Sequence, residues 1–202
     1  MNKIVKFNDK SRIKKTPPIW FSIVIIILST GGIFVPTLLS MSSNKQIDAS
    51  FLQKSKAQFS FIFFGYPECH SVCPIGLSTL SKIYSTFHNQ YPDKLLDVFF
   101  INLTPEFYEG QSSAYAKTYH PNFKGYSLPE KELERIMFSL GVVFSSKGEN
   151  DIFHTPYIYL LQKIKKHWRL KYIYTQQNPK ILKIIKDLES LISVNGGAYH
   201  GI

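Results

Sequence analysis

Cysteine is scarce in this 202-residue chain, where Cys69 and Cys73 are the only two. A closed zinc site of the finger type needs a second ligand pair, and no further thiols exist to supply one. Internal repeats and low-complexity blocks are also missing. The length, together with 16 Phe and 12 Tyr, therefore fits one packed domain with an appendage.

Charge is absent from a long segment between Lys15 and Lys45. Residues 19–39 within it are almost entirely apolar, and as a helix they would span about 30 Å, the thickness of a bilayer's hydrocarbon core. Two glycines and a proline in this segment would weaken a soluble helix but are tolerated in a membrane. We predict a transmembrane anchor over 16–39. The alternative is a cleaved signal peptide, whose apolar core is usually shorter.

Acidic residues are rare in the first fifteen positions, where six Lys and Arg face one acid, Asp9. This tail carries 6 − 1 = +5 of the formal net charge of +10, and the rest of the chain carries the other +5. Basic residues beside an apolar segment stay in the cytoplasm. We therefore predict a cytoplasmic tail over 1–15 and a single-pass protein of the inner (cytoplasmic) membrane, with its bulk on the periplasmic side. The same asymmetry argues against nucleic-acid binding, and the basic cluster at 163–167 is expected to be a hairpin turn.

Apolar, aromatic runs alternate with amphipathic segments after residue 57. The predicted strands cover 58–64, 95–103, 123–128, 157–161 and 168–174. One predicted helix begins at Pro74, and three others cover 110–119, 129–140 and 179–192. The alternation predicts a parallel sheet with crossover helices, to which the last two strands add an antiparallel edge. We predict an α/β fold over 58–194: a thioredoxin-like three-layer α/β/α sandwich with a mixed sheet, preceded by the transmembrane helix. A polar linker over 40–57 and a C-terminal tail over 195–202 would flank it.

The two cysteines lie at the junction between the first predicted strand and the helix that follows it. Pro74 suits the first turn of that helix, because its missing N–H would have no partner there. Two thiolates at this junction offer a soft site that favours Cu(I). His154 lies shortly before the strand at 157–161 and can approach the cysteines in a thioredoxin-like sheet, which makes it the candidate third ligand. His70, between the cysteines, is a further candidate.

Two other interpretations of the cysteine pair stay open. Cys69 and Cys73 can cycle between dithiol and disulfide, since one helical turn brings their backbones to roughly 6 Å and a helix N-terminus lowers a thiol pKa. The pair is then catalytic, and His154 is a bystander. Alternatively, the pair is a structural disulfide or two inert buried thiols.

The segment at 64–74, FGYPECHSVCP, resembles the copper-site segment of the SCO/SenC family, roughly F-G-[FY]-T-x-C-P-[DT]-[VI]-C-P. The resemblance covers about residues 58–192. It implies a membrane-anchored, thioredoxin-fold protein that binds copper, Cu(I) or Cu(II), through Cys69, Cys73 and His154. Family members carry copper or reducing equivalents to the copper centre of cytochrome c oxidase during assembly. The implied partners are the copper-bearing oxidase subunit, another copper chaperone and a thiol reductant.

Three features depart from the family pattern. Phe153 stands where the family usually has Asp, Thr104 replaces the first acid of its V-D-P-x-x-D segment, and residues 40–57 are too short and polar for its N-terminal β-hairpin. Because such acids can orient the ligands, we expect a divergent member with weaker copper binding or another partner. The expected task is that of a copper-delivering assembly factor rather than an enzyme. The alternative is an extracytoplasmic thiol–disulfide oxidoreductase acting on protein cysteines.

Overall fold

The computed structural model describes residues 44–104, 109–146 and 152–196. The predicted basic tail (1–15) and transmembrane anchor (16–39) lie outside these residues, as do the ends of the predicted linker and C-terminal tail. Within the described part of the chain, no helix is both long and apolar enough to cross a membrane.

A mixed six-stranded sheet forms the centre of the domain, in the strand order β1-β8-β7-β2-β3-β4. Its strands are β1 (Gln46–Ile47), β2 (Phe59–Gly65), β3 (Leu96–Asn102), β4 (Lys124–Ser127), β7 (Ile158–Ile164) and β8 (His167–Tyr174). Strands β2, β3 and β4 are parallel, whereas β7, β8 and β1 add antiparallel pairings. The predicted mixed sheet is therefore confirmed.

Two further strands form a separate antiparallel ribbon, β5 (Phe144–Ser146) with β6 (Ile152–His154). The sequence analysis did not predict this ribbon. Three-residue strands are too short to show a hydrophobic period, and their pairing is set by contacts with the rest of the fold.

Five helices accompany the strands in the described residues: α1 (Ser50–Gln53), α2 (Val72–Gln90), α3 (Glu109–Tyr119), α4 (Glu130–Leu140) and α5 (Ile181–Gly196). Helix α4 shows why these segments are helical. Glu130 and Glu132 occupy its first turn, where carboxylates complement the helix dipole. It ends at Gly141, whose φ of 68° lies in the left-handed region that glycine adopts without strain.

Alternating side chains of β2 separate two hydrophobic cores. Phe59, Phe61 and Phe63 pack with apolar residues of α2 and α5, while Ile62 and Phe64 join the cluster that contains residues of α1 and α4. All five side chains are buried. Because successive side chains of a strand point to opposite faces, helices cover both faces of the sheet. This is the layered arrangement expected of a thioredoxin-like fold.

The described residues of the predicted linker, 44–57, belong to the packed domain, so the linker prediction does not hold for them. Strand β1 pairs with β8, and Phe51 and Leu52 of α1 are 1% and 0% exposed. The indole Nε1 of Trp168 donates a 2.9 Å hydrogen bond to the carbonyl of Leu52. The few apolar residues of this segment show no period, and only the sheet they pack against reveals them as core.

Candidate metal centre

The cysteines lie in the connection between β2 and α2. Cys69 sits in the turn that follows β2, where its N–H donates to the carbonyl of Tyr66 at 3.1 Å. Cys73 lies in the first turn of α2, since this helix begins at Val72, two residues earlier than predicted. Pro74 therefore occupies the first turn, as the sequence indicated. Both cysteines are free thiols, 2% and 0% exposed.

The sulfur of Cys69 caps helix α2. The first N–H groups of a helix have no partner within the helix, and a side-chain acceptor usually satisfies one of them. Ser71 stands at the capping position, but its side chain makes no capping hydrogen bond. Instead the N–H of Cys73 donates to the Sγ of Cys69 at 3.4 Å. The turn and the helix thus orient this sulfur together.

His154 reaches the same place from the ribbon. It is the last residue of β6, where it pairs with Phe144 of β5, and it is 5% exposed. Its Nε2 lies 3.6 Å from the Sγ of Cys73, and its Nδ1 lies 3.4 Å from the carbonyl oxygen of Thr155. One nitrogen is therefore held by the backbone while the other faces the thiols. Such a backbone contact commonly orients a metal-ligating histidine.

The structure brings together the three residues that the sequence analysis singled out. The sulfurs of Cys69 and Cys73 and a ring nitrogen of His154 all lie within 4.8 Å of one another. Among the described residues, this is the group of three His, Cys, Asp or Glu side chains that lie close enough together to hold a metal ion. His70 is exposed and is not part of this group.

The two thiols differ in their protonation. A hydrogen bond from the Cys73 thiol is the main cause that lowers the pKa of Cys69 to about 3, and burial opposes it. Hydrogen bonds from His154 and from the N–H groups of Cys73 and Ser71 lower it further. The same hydrogen bond raises the pKa of Cys73, and burial raises it too. The pair therefore holds one thiolate and one thiol, and a soft cation needs to displace only one proton to bind both sulfurs.

Gly65 is required by the close approach of Cys73. A Cβ placed on Gly65 would lie 2.6 Å from the Sγ of Cys73 and 3.1 Å from the ring of Phe100. Both neighbours are 0% exposed, so neither has room to move away. The end of β2 can therefore lie against the cysteine only because position 65 has no side chain.

Tyr66 is a residue of the site that the sequence analysis did not single out. Its ring meets that of His154 edge-on, with centroids 5.8 Å apart and an interplanar angle of 82°. Burial raises the pKa of its hydroxyl, and the negative charge of the nearby Cys69–Cys73 pair and a hydrogen bond to Cys69 add to that effect. Tyr66 thus contacts two of the three candidate ligands. The signals in the sequence were its place beside the turn and its match to the aromatic position of the F-G-[FY] pattern.

Thr104 and Phe153 stand at the two positions where the resemblance predicts acids, and the structure shows their surroundings. Thr104 is buried, and both its N–H and its hydroxyl donate to Oδ1 of Asn102, at 3.1 and 2.9 Å. Phe153 is 61% exposed. The hydrogen bonds of the thiols and of His154 given above involve neither residue, so these two positions supply no acid to orient the ligands.

Helices on both faces of a mixed sheet, and two sulfurs meeting an imidazole at a strand–helix junction, define a thioredoxin-like protein with a site able to hold a soft metal ion. The SCO1/SenC family model matches residues 44–193. The chain belongs to the SCO1/SenC family.

Similar proteins come from bacteria and eukaryotes. The SCO2-like protein of Rickettsia conorii is 27% identical over 134 residues, which cover 63% of each chain. Protein sco1 of Schizosaccharomyces pombe is 27% identical over 139 residues, which cover 65% of this chain and 50% of that protein. The match therefore spans less than two thirds of the length of either relative.

Solved structures share the fold. Arabidopsis thaliana ScoI with copper bound has a TM-score of 0.60 at 19% identity, with 68% of this chain and 89% of that chain covered. Apo Sco1 from Thermus thermophilus has a TM-score of 0.58 at 21% identity, with 74% and 91% covered. At these identities the likeness shows the fold.

Proposed function

We propose that the protein binds copper through Cys69, Cys73 and His154 and delivers it to the copper centre of cytochrome c oxidase during assembly. The observation that carries this proposal is the convergence of two sulfurs and an imidazole nitrogen within 4.8 Å. The three side chains come from separate elements of the fold. Thiolates and imidazole are ligands that copper accepts, and the thiolates favour Cu(I). Family membership and the copper-bound ScoI of similar fold support the choice of metal.

The surroundings of the site favour a protein partner. Ile75, Val143 and Phe153 are 44%, 54% and 61% exposed. Ile75 follows Cys73 by two residues, Phe153 precedes His154, and the carbonyl of Val143 accepts a hydrogen bond from the N–H of Thr155. Exposed apolar side chains on or beside the segments that carry the ligands are suited to a protein interface. We propose the copper-bearing subunit of the oxidase as the acceptor.

The membrane topology is a further part of this proposal. The apolar segment 16–39 would anchor the chain in the inner membrane, with the basic tail in the cytoplasm and the metal centre on the periplasmic side. Mass spectrometry of the mature N-terminus tests it, because cleavage near residue 42 would refute a retained anchor.

A second candidate function is thiol–disulfide exchange, favoured by the thiolate on Cys69. This sulfur would attack a partner disulfide and release one partner thiolate. Cys73 would then give its proton to the released thiolate and attack Cys69, which releases the second partner thiolate. This leaves a Cys69–Cys73 bridge and moves two electrons to the partner. The near-complete burial of both cysteines disfavours it, because a disulfide must reach the attacking sulfur.

Copper titration of single variants tests the copper proposal. We expect His154→Ala to weaken Cu(I) binding at least tenfold, about 1.4 kcal/mol, in competition with a Cu(I) chelator. His70→Ala is the matched control, since His70 is exposed and outside the group, and its affinity should equal that of the wild type. If His154→Ala changes neither copper affinity nor oxidase maturation, the three-ligand site is wrong.

A further inference from the structure

A basic groove lies where the central strands begin, at the end of the sheet opposite the metal centre. The parallel strands β2 and β3 end beside the cysteines and begin at Phe59 and Leu96, on the side of the groove. A groove of about 600 Å³ opens there. Five lysines and one acid line it: Lys54, Lys56, Lys94, Lys117, Lys124 and Asp97. The lining therefore carries a net charge of 5 − 1 = +4.

The carboxylate of the groove, Asp97, already has two partners within the protein. Asp97 forms a 2.7 Å ion pair with Lys124, and the hydroxyl of Ser55 donates to its other oxygen at 2.6 Å. None of the other four lysines has a described carboxylate within ion-pair distance. Three of these are exposed, and Lys94 is half-buried. The groove thus holds four positive charges without a counter-charge in the described protein.

The basic surface continues onto the turn between β7 and β8. Lys163 donates from its Nζ to the carbonyl of Ser55 at 2.8 Å, which ties this turn to the loop at 54–56. Lys165 and Lys166 follow in the turn and are exposed. One continuous basic face therefore covers the sheet edge that lies away from the candidate ligands.

We propose that this basic face binds the phosphate headgroups of anionic phospholipids, with the groove as the headgroup site. The proposal rests on the membrane anchoring described under the proposed function. Position 39 and the start of β1 at Gln46 are seven residues apart, which is at most about 25 Å even for a fully extended chain, so an anchored domain would stay close to the bilayer. The negative potential of an anionic surface falls off within about 10 Å, so the lysines are attracted once the tethered domain brings them that close. Docked in this way, the domain would turn its metal centre away from the lipid and towards a partner.

Lysine acylation, read by mass spectrometry, tests the contact on the full chain in nanodiscs. In discs that contain phosphatidylglycerol we expect the four unpaired lysines to react at least about threefold more slowly than in discs of phosphatidylcholine alone, and high salt should abolish the difference. Lys131 and Lys186, exposed on α4 and α5, are internal controls whose rates should not change.

A variant pair separates lipid binding from general charge. Neutralising Lys54, Lys56, Lys94 and Lys117 to Gln should abolish the remaining lipid-dependent protection at Lys165 and Lys166. The control neutralises four other exposed lysines, Lys82, Lys131 and Lys186 of the helices and Lys180 directly before α5. It changes the net charge equally and should leave the protection intact.

Four outcomes would overturn the proposal. They are equal acylation rates in both kinds of disc, protection by inorganic phosphate in phosphatidylcholine discs, failure of the chain to enter discs, and protection only on addition of an acidic protein. Cu(I) affinity, measured on the same samples, reports on the metal centre independently. An intact copper site with unprotected lysines would reject this proposal alone.

Discussion

Replacing Gly65 by alanine is the most direct test of how the fold positions Cys73. The new Cβ would lie 2.6 Å from the sulfur, whereas non-bonded atoms prefer about 3.5–4.0 Å, so the sulfur must retreat by about 1 Å. Because Cys73 and Phe100 are fully buried, this overpacking should destabilise the fold by about 1–3 kcal/mol. Ligand distances tolerate only about 0.2 Å, so Cu(I) affinity should fall at least about tenfold.

Denaturant unfolding and Cu(I) competition titration measure the two effects. Gly110→Ala is the matched control, because a Cβ at that exposed position of α3 meets nothing within 4 Å. It should change stability by less than about 1 kcal/mol and leave copper affinity unchanged. Among the described glycines, Gly141 is the one with a left-handed φ. Alanine at position 65 therefore adds no backbone strain, and a loss of stability there reports on the crowding of the new Cβ. A Gly65→Ala protein as stable as the wild type, with unchanged affinity, would refute the close-approach argument.

Three further predictions follow from the site and the fold. Cu(I) binding to the reduced protein at pH 8 should release about one proton from the thiol pair, because Cys69 is already ionised and Cys73 is not. Calorimetry in two buffers counts the released protons. A count near two would contradict the assignment of one thiolate and one thiol. Trp168→Phe removes the hydrogen bond to the buried carbonyl of Leu52 and should destabilise the fold by about 1–3 kcal/mol in urea, with copper affinity unchanged. Gly141→Ala places a side chain at φ 68° and should cost about 1–2 kcal/mol in the same assay, although nothing crowds its Cβ; an unaffected midpoint would argue against the left-handed cap.

Long periodic segments were predicted closely, because their signal is local. The helix predicted over 129–140 is Glu130–Leu140, and the strand predicted over 58–64 is Phe59–Gly65. The elements that were missed are short and depend on distant residues. Ile47 is placed by pairing with Trp168, and Phe144 by pairing with His154. The local pattern of apolar residues does not show which strand such a residue pairs with.

The sequence by itself determined the chemistry available to the site: a thiol pair at a strand–helix junction, with Pro74 directly behind it. Chain geometry over a few residues is enough for that conclusion. Only the tertiary structure decided that the ring of His154, 81 positions from Cys73, lies 3.6 Å from its sulfur. It also decided that the pKa of Cys69 is lowered and that of Cys73 raised, because the hydrogen bond between the two side chains, their burial and the hydrogen bond of His154 all depend on how the surrounding elements pack.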